Sequence, residues 1–188
     1  GGGLGRCHAL ELARRGAKVV INDLGGAMDG SGGSSEAAEA VVAEIKAMGG
    51  EAIANGGSVS DRAGAQSMVD DAMNAWGRVD VLINNAGILR DKSFSKMTLD
   101  DFDMVVNVHL MGAAYCAHAV WPVMKAQNYG RILMTTSPTG LYGNFGQTNY
   151  GAAKLGQVGL MHSLKIEGAK NNIHTNTIAP VAATRMTE

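Results

Sequence analysis

The segment Arg131 to Lys154 reads R-I-L-M-T-T-S-P-T-G-L-Y-G-N-F-G-Q-T-N-Y-G-A-A-K. An apolar run of strand length leads into Ser137, a glycine-rich turn follows, and Tyr150 stands one helical turn before Lys154. Residues at i and i+4 share a helical face, so Lys154 can bring a positive charge close to the Tyr150 hydroxyl. A phenol titrates near ~10, and moving it towards neutrality takes about 3 units, or about 4 kcal/mol of preferential stabilisation of the anion. A nearby ammonium and a cationic cofactor ring supply this in a low-dielectric cleft, which makes Tyr150 a candidate acid/base. Ser137, at the end of the strand, can donate a hydrogen bond to the same substrate oxygen. Tyr-x-x-x-Lys alone is a weak signal, because an exposed lysine beside a packed tyrosine has the same spacing. The residues before it give it weight.

The chain opens Gly1-Gly2-Gly3-Leu4-Gly5 and runs into a helical pattern, Arg6 to Arg15, closed by Gly16. Glycines at a helix N-terminus let backbone N–H groups approach a phosphate, and the helix dipole favours the negative charge. A linker or cloning scar has the same composition. The next element separates the two readings: Lys18 to Asn22 is a β-branched run ending at Asp23, eighteen residues after Gly5. That is close to the spacing at which dinucleotide-binding folds place a carboxylate on the adenosine ribose. A carboxylate there accepts from a 2′-hydroxyl and repels a 2′-phosphate. No Arg or Lys lies between Asp23 and Ser35, so the reading is NAD, with NADP disfavoured.

At 188 residues the chain is one domain's worth and can bury a substantial core. Its formal net charge of −1 and scattered basic residues point to a small-molecule partner and away from nucleic acid or an anionic membrane surface. Cys7 and Cys116 lie far apart and fall in apolar helical patterns, which reads as two buried free thiols in a reducing, cytoplasmic setting. No signal peptide is visible, and no apolar run looks long enough to span a membrane. His8, His118, His162 and His174 show no ligand spacing, so no metal is expected.

Between these landmarks, strands and helices alternate. A Gly- and Ser-rich loop covers Leu24 to Ser34, and a helix follows to Met48 with Ala38, Val41, Val42, Ile45 and Met48 on its apolar face. Glu51 to Ala54 is a short strand, and Ser60 or Asp61 caps a helix through Trp76, ended by Gly77. Asp70 and Asp71 read as solvated helix surface. Val79 to Ile83 is a third strand, leading into Asn84-Asn85-Ala86-Gly87. Thr98-Leu99-Asp100-Asp101 has capping-box spacing, so a long helix starts at Leu99 and continues to Gln127, with a kink at Pro122. Strand Ile132 to Thr136, helix Gln147 to Lys170 and strand Ile173 to Ala179 complete the pattern, which predicts an α/β doubly wound parallel sheet flanked by helices.

Taken together, the glycine turn, Asp23, Asn84-Asn85-Ala86-Gly87, Ser137, Tyr150-x-x-x-Lys154 and the Pro180 turn resemble the short-chain dehydrogenase/reductase family in its single-domain form. Within it, Asn22 to Gly26, Ala86 to Asp91 and Tyr142 to Gln147 are similar to the (3R)-hydroxyacyl-CoA dehydrogenase domains of type 2 peroxisomal multifunctional enzymes and their bacterial relatives. The resemblance implies oxidation of a 3-hydroxyacyl thioester to its 3-oxo form, or the reverse. It implies that Tyr150 is the acid/base, that Ser137 steadies the reacting oxygen, and that Lys154 lowers the tyrosine pKa and holds the nicotinamide ribose. It also implies a cofactor site of Gly3, Leu4, Gly5, Asp23, Ser58, Val59, Asn85, Ala86, Gly87, Tyr150, Lys154, Pro180 and Val181, with Asn84 beside it, and a homodimer or homotetramer built on the two long helices.

Three departures accompany the resemblance. The family has a strand and a Thr-Gly pair before the glycine turn and continues past residue 188, so one partial dinucleotide-binding and catalytic domain over 1–188 and a longer natural chain are expected, with an incomplete sheet whose neighbouring strands lack partners. His109 stands where most relatives have an asparagine that holds a water on a proton relay; it either joins the relay or simply packs. Val181 stands where glycine is usual. Leu141, Tyr142 and Phe145 are candidate walls of an acyl pocket. Three other functions compete: an NADP-dependent 3-oxoacyl carrier-protein or acetoacetyl reductase, an isomerase or lyase that recycles its hydride, and a non-catalytic dinucleotide-binding module.

Overall fold

In the computed structural model, residues 1–27, 29–30 and 36–181 are described. Five strands form where β-branched and apolar residues run together: β1 (Val19–Asn22), β2 (Ala52–Asn55), β3 (Val81–Asn84), β4 (Gly130–Thr135) and β5 (Ile173–Ile178). All pairings are parallel, as the alternation with helices requires. The strands fall into two sheets, β1-β2 and β3-β4-β5, so among the described residues β1 and β3 each have a single strand neighbour. The helices are α1 (Gly3–Arg14), α2 (Glu36–Ala47), α3 (Arg62–Trp76), α4 (Leu99–Val106), α5 (Gly112–Gln127), α6 (Pro138–Tyr142) and α7 (Thr148–Gly168).

Each sheet has its own core. Leu10 and Ala13 of α1, Val41, Val42 and Ile45 of α2, Ile21 and Ala52 close the first. Val69 of α3, Val120 and Met124 of α5, Ile132, Met134 and Ile173 close the second, with Met161 of α7 packed against it. Burying each large aliphatic side chain contributes roughly 1.5–3 kcal/mol, which is why the helical stripes predicted from periodicity fix which face meets the sheet. The α2 stripe stops at Ile45; Met48, placed on it by periodicity, lies beyond the helix and is 46% exposed.

The predicted caps are present. Asp61 accepts from the Gly64 amide at 3.1 Å, Thr98 accepts from the Asp101 amide at 3.1 Å, and Gly77 ends α3 at φ +70°. The long helix departs from expectation. Pro122 sits inside α5, and the irregularity lies a dozen residues earlier, where Asn107–Met111 form a π turn between α4 and α5. A π turn adds a residue to one turn and frees backbone groups from the regular ladder. Residues 99–127 also form a helical stretch that by length and composition alone could cross a membrane, contrary to the sequence reading; here α5 packs its apolar face on α3, β3 and β4.

Two further readings change. Cys116 is buried but Cys7 is exposed, because α1 turns its inward stripe through Ala9, Leu10 and Ala13. Asp71 is not solvated surface: it accepts from Asn55 Nδ2 at 2.7 Å, part of a polar cluster in which Asn22 donates to Asn55 Oδ1 at 2.9 Å.

Candidate active site

Because the strands are parallel, the positions singled out from the sequence follow the carboxyl ends of the strands, the edge at which open α/β sheets bind ligands. Asp23 follows β1, Ser58 and Val59 follow β2, Asn85-Ala86-Gly87 follow β3, Ser137 follows β4, and Pro180 and Val181 follow β5. The last pair is held in register by β4-β5 pairing and by the Thr136 amide donating to the Ile178 carbonyl at 2.8 Å; Val181 itself is exposed.

The glycine turn starts α1 with Gly3 at φ +49°, a left-handed conformation that favours glycine. Gly2 is the N-cap and brings no side chain, so among the described residues the first-turn amides at this positive helix end have no side-chain cap. A Cβ on Gly5 would lie 3.0 Å from Asn85 Nδ2, which brings the turn against the β3 loop. Asp23 Oδ1 accepts from the Gly25 amide at 2.7 Å. A backbone cradle for a phosphate beside a carboxylate suited to a ribose hydroxyl fits a dinucleotide.

The second group surrounds Tyr150. Lys154 is 3% exposed, donates to the Thr135 carbonyl and places Nζ 5.4 Å from the centre of the Tyr150 ring; Thr136 Oγ1 donates to the Lys154 carbonyl at 2.7 Å. These bonds dock α7 on the end of β4. Burial pulls the Lys154 ammonium down to about 7. Tyr150 does not behave as the sequence reading expected. Burial holds its phenol above the ordinary value, the Ser137 hydroxyl pulls it down, and the Asp91 carboxylate pushes it up. Lys154 Nζ lies over the ring and bonds the Thr135 carbonyl, and its charge does not supply the expected lowering in the protein by itself.

Ser137 is also the N-cap of α6, accepting from the Thr139 amide at 3.2 Å. That short helix lies in the stretch that the sequence presents as a glycine-rich turn; glycines at 140 and 143 and the proline at 138 hid it. Leu141 and Tyr142 within it and Phe145 beyond it are exposed, at 51%, 87% and 89%, and so form open surface rather than the walls of a closed pocket.

His109 lies in the π turn, 1% exposed, with its ring edge-on to Tyr150 at 5.1 Å between centres. Its Nε2 lies 3.1 Å from the Ile88 amide and 2.8 Å from the Ile88 carbonyl, so the tautomer decides which bond forms. Burial, reinforced by the Lys154 charge, takes the imidazole down to about 3, so it is neutral at physiological pH. Gly87 is glycine for a steric reason: a Cβ there would come within 2.4 Å of His109 Cε1. Val59 lies against the start of α5, just after that turn, 3.0 Å from where a Cβ on Gly112 would be.

Sequence reasoning missed the residues that hold these groups. Asn149, fully buried, accepts from the Tyr150 amide at 2.7 Å and donates to the carbonyls of Arg90 at 3.2 Å and Asp101 at 3.4 Å. Gln147 donates to Asp91 at 2.7 Å. Gln157 donates to the His109 carbonyl at 2.7 Å. Gln157 stands three residues after Lys154 on the buried face of α7, and a polar residue on that face was the available signal.

The comparisons with known proteins agree with this geometry. The family model for short chain dehydrogenase matches residues 1–188. The peroxisomal multifunctional enzyme type 2 of Mus musculus is 57% identical over the whole chain, which spans 25% of that protein. The peroxisomal hydratase-dehydrogenase-epimerase of Saccharomyces cerevisiae is likewise 57% identical over the whole chain, which spans 21% of it. A crystal structure of a short chain dehydrogenase from Mycobacterium avium superposes with a TM-score of 0.90 at 43% identity, covering all of this chain and 66% of that one. The chain thus spans only part of the length of these relatives. A fold matched at this level, carrying a glycine turn against the β3 loop and Tyr-x-x-x-Lys beside the end of β4, leaves no doubt about its kinship: the chain belongs to the short-chain dehydrogenase/reductase family of nicotinamide-dependent oxidoreductases.

Proposed function

We propose that the chain carries out NAD-linked interconversion of a (3R)-3-hydroxyacyl thioester and its 3-oxo form, within one dinucleotide-binding and catalytic domain. The observation that carries the cofactor choice is Asp23, a carboxylate at the end of β1 beside the glycine turn, which suits a free ribose hydroxyl and repels a phosphate. The substrate class rests on the likeness to hydratase-dehydrogenase enzymes of peroxisomes.

In this reading Gly3, Leu4 and Gly5 present α1 amides to the pyrophosphate, Asp23 takes the adenosine ribose, and Ser58, Val59, Asn85, Ala86 and Gly87 line the adenosine side. Pro180 and Val181 approach the nicotinamide end. The nicotinamide ring, when bound, accepts or returns the hydride. Tyr150 takes the proton of the substrate hydroxyl and returns it in the reverse direction. Ser137 donates to the same oxygen and holds it in line with the phenol. Lys154 offers its ammonium to the nicotinamide ribose and to the phenolate as charge develops, and a cationic ring nearby completes the lowering of the Tyr150 pKa that the protein alone does not produce. His109 is a neutral buttress against the Tyr150 ring. Positioned proton transfer of this kind contributes ~10²–10⁴-fold. Exposed Met104, Leu155 and Ile166 on α4 and α7 suit a homodimer or homotetramer packed through these helices.

The test is a panel of 3-hydroxyacyl thioesters against simple alcohols and steroids, each with NAD and with NADP, on the complete natural polypeptide. Reduction of NAD by (3R)-hydroxyacyl thioesters in preference to the other alcohols is expected. Turnover confined to NADP, or to steroids, contradicts the proposal.

A further inference from the structure

The π turn that carries His109 leaves its backbone carbonyl facing α7, and a fully buried side chain meets it. Gln157 is 2% exposed and its amide donates to the His109 carbonyl at 2.7 Å. The surroundings are largely apolar: Gln157 shares its cavity with Val59, Ala86, Val108 and Ala113, and the adjacent Gly156 faces Leu110, which a Cβ there would approach to 2.9 Å. A buried amide is unfavourable unless its hydrogen bonds are made, so its presence marks a specific job. Its other end points the same way. Gln157 Oε1 and His109 Nδ1 are both buried without a partner among the described residues, and both residues line, with Asn84 and Val108, a cavity of about 10 Å³. That is room for about one water, and two facing polar atoms are what such a water needs.

We infer that Gln157 is a positioning residue for the reaction: by capping the carbonyl that the π turn frees, and by sharing the small polar cavity with His109 Nδ1, it holds the imidazole edge-on to Tyr150. It touches no substrate and acts through His109 alone. A lost cap lets the turn relax towards a regular helix, which rotates the His109 ring off Tyr150 and away from Ile88.

The inference rests on Tyr150 being the acid/base, and the test separates the two. Gln157→Met keeps length and approximate volume and removes the amide; Gln157→Leu removes it with a shorter, branched side chain and serves as the second variant. Both are measured in the complete polypeptide with NAD and a 3-hydroxyacyl thioester. Expected is a fall in kcat of about tenfold with KM for NAD within about twofold, the split that marks loss of transition-state positioning rather than of binding. In a His109→Ala background the same substitution is expected to have no further effect on kcat, because its route of action is gone. A kcat unchanged in the single variant, or an equal loss in the His109→Ala background, overturns the inference. Tyr150→Phe run alongside tells the failures apart: turnover retained there overturns the catalytic reading and this inference with it, whereas turnover lost there with kcat unmoved by Gln157→Met overturns the inference alone.

Discussion

The α1–β2 unit and the β3–β5 unit bury aliphatic side chains in the same manner but use polar ones differently. In the first, the groups suited to the nucleotide are backbone amides without a side-chain cap at the start of α1 and the Asp23 carboxylate, which is 25% exposed. Their effect comes from position, and water moderates it. In the second, Lys154, His109, Asn149 and Gln157 are almost fully withdrawn from water, and burial is the first cause of the shifts of Lys154 and His109. One half presents exposed polar groups, and the other tunes charge by desolvation, so the two halves respond to different perturbations.

The largest contrast is expected at Lys154. Its ammonium titrates at about 7 in the folded chain against 10.5 when unfolded, so between those values the unfolded chain holds the extra proton. Stability therefore rises with pH from about 7 towards 10, by up to a few kcal/mol, and below 7 the full penalty of the buried charge remains. Urea unfolding of the wild type and of Lys154→Met across that range checks this: the slope flattens in the variant, and turnover falls by about 10² or more as the charge is lost. An equal slope in both proteins contradicts the assignment. His109 carries the same sign at lower pH. Its folded value of about 3 lies below the ordinary 6.5, so its contribution is lost as pH falls from about 6.5 to about 3. His109→Phe reduces that acid sensitivity.

Steric tests sharpen the comparison next. Gly87→Ala drives a Cβ into the His109 ring, and a loss of roughly 1–3 kcal/mol is expected in chemical denaturation. In the nucleotide unit, Asp23→Asn removes the repulsion of a 2′-phosphate; the ratio of NADPH to NADH turnover is expected to rise about tenfold, about 1.4 kcal/mol, with stability little changed. The smallest effect belongs to Gly2→Ala, where nothing lies within 4 Å of the added Cβ, and the unfolding midpoint should move by less than about 0.5 kcal/mol equivalent.

The same division explains what could be read from the chain. The strands, the order of elements and the caps at Asp61 and Thr98 were legible because they depend on local periodicity and turn chemistry. So were the residues that follow each strand, since parallel pairing brings strand ends to one edge. The π turn was not legible: nothing in Asn107-Val108-His109-Leu110-Met111 breaks the helical period, while Pro122, a conspicuous helix breaker, sits inside α5 without ending it. The supports of the site, Asn149 and Gln157, act across elements far apart in sequence, and only tertiary packing brings them to Arg90, Asp101 and His109. The direction of the Tyr150 shift escaped for the same reason: i,i+4 spacing puts Lys154 on the right face but does not say that Thr135 holds its ammonium beneath the ring.

The central claim is that the buried half of the molecule is an acid–base apparatus working through the Tyr150 hydroxyl on a dinucleotide held by the other half. Turnover and NAD binding measured side by side for wild type and Tyr150→Phe test it most directly. The account predicts a fall in kcat of at least about 10² with NAD affinity within a few-fold of wild type. Retained turnover in Tyr150→Phe would contradict it.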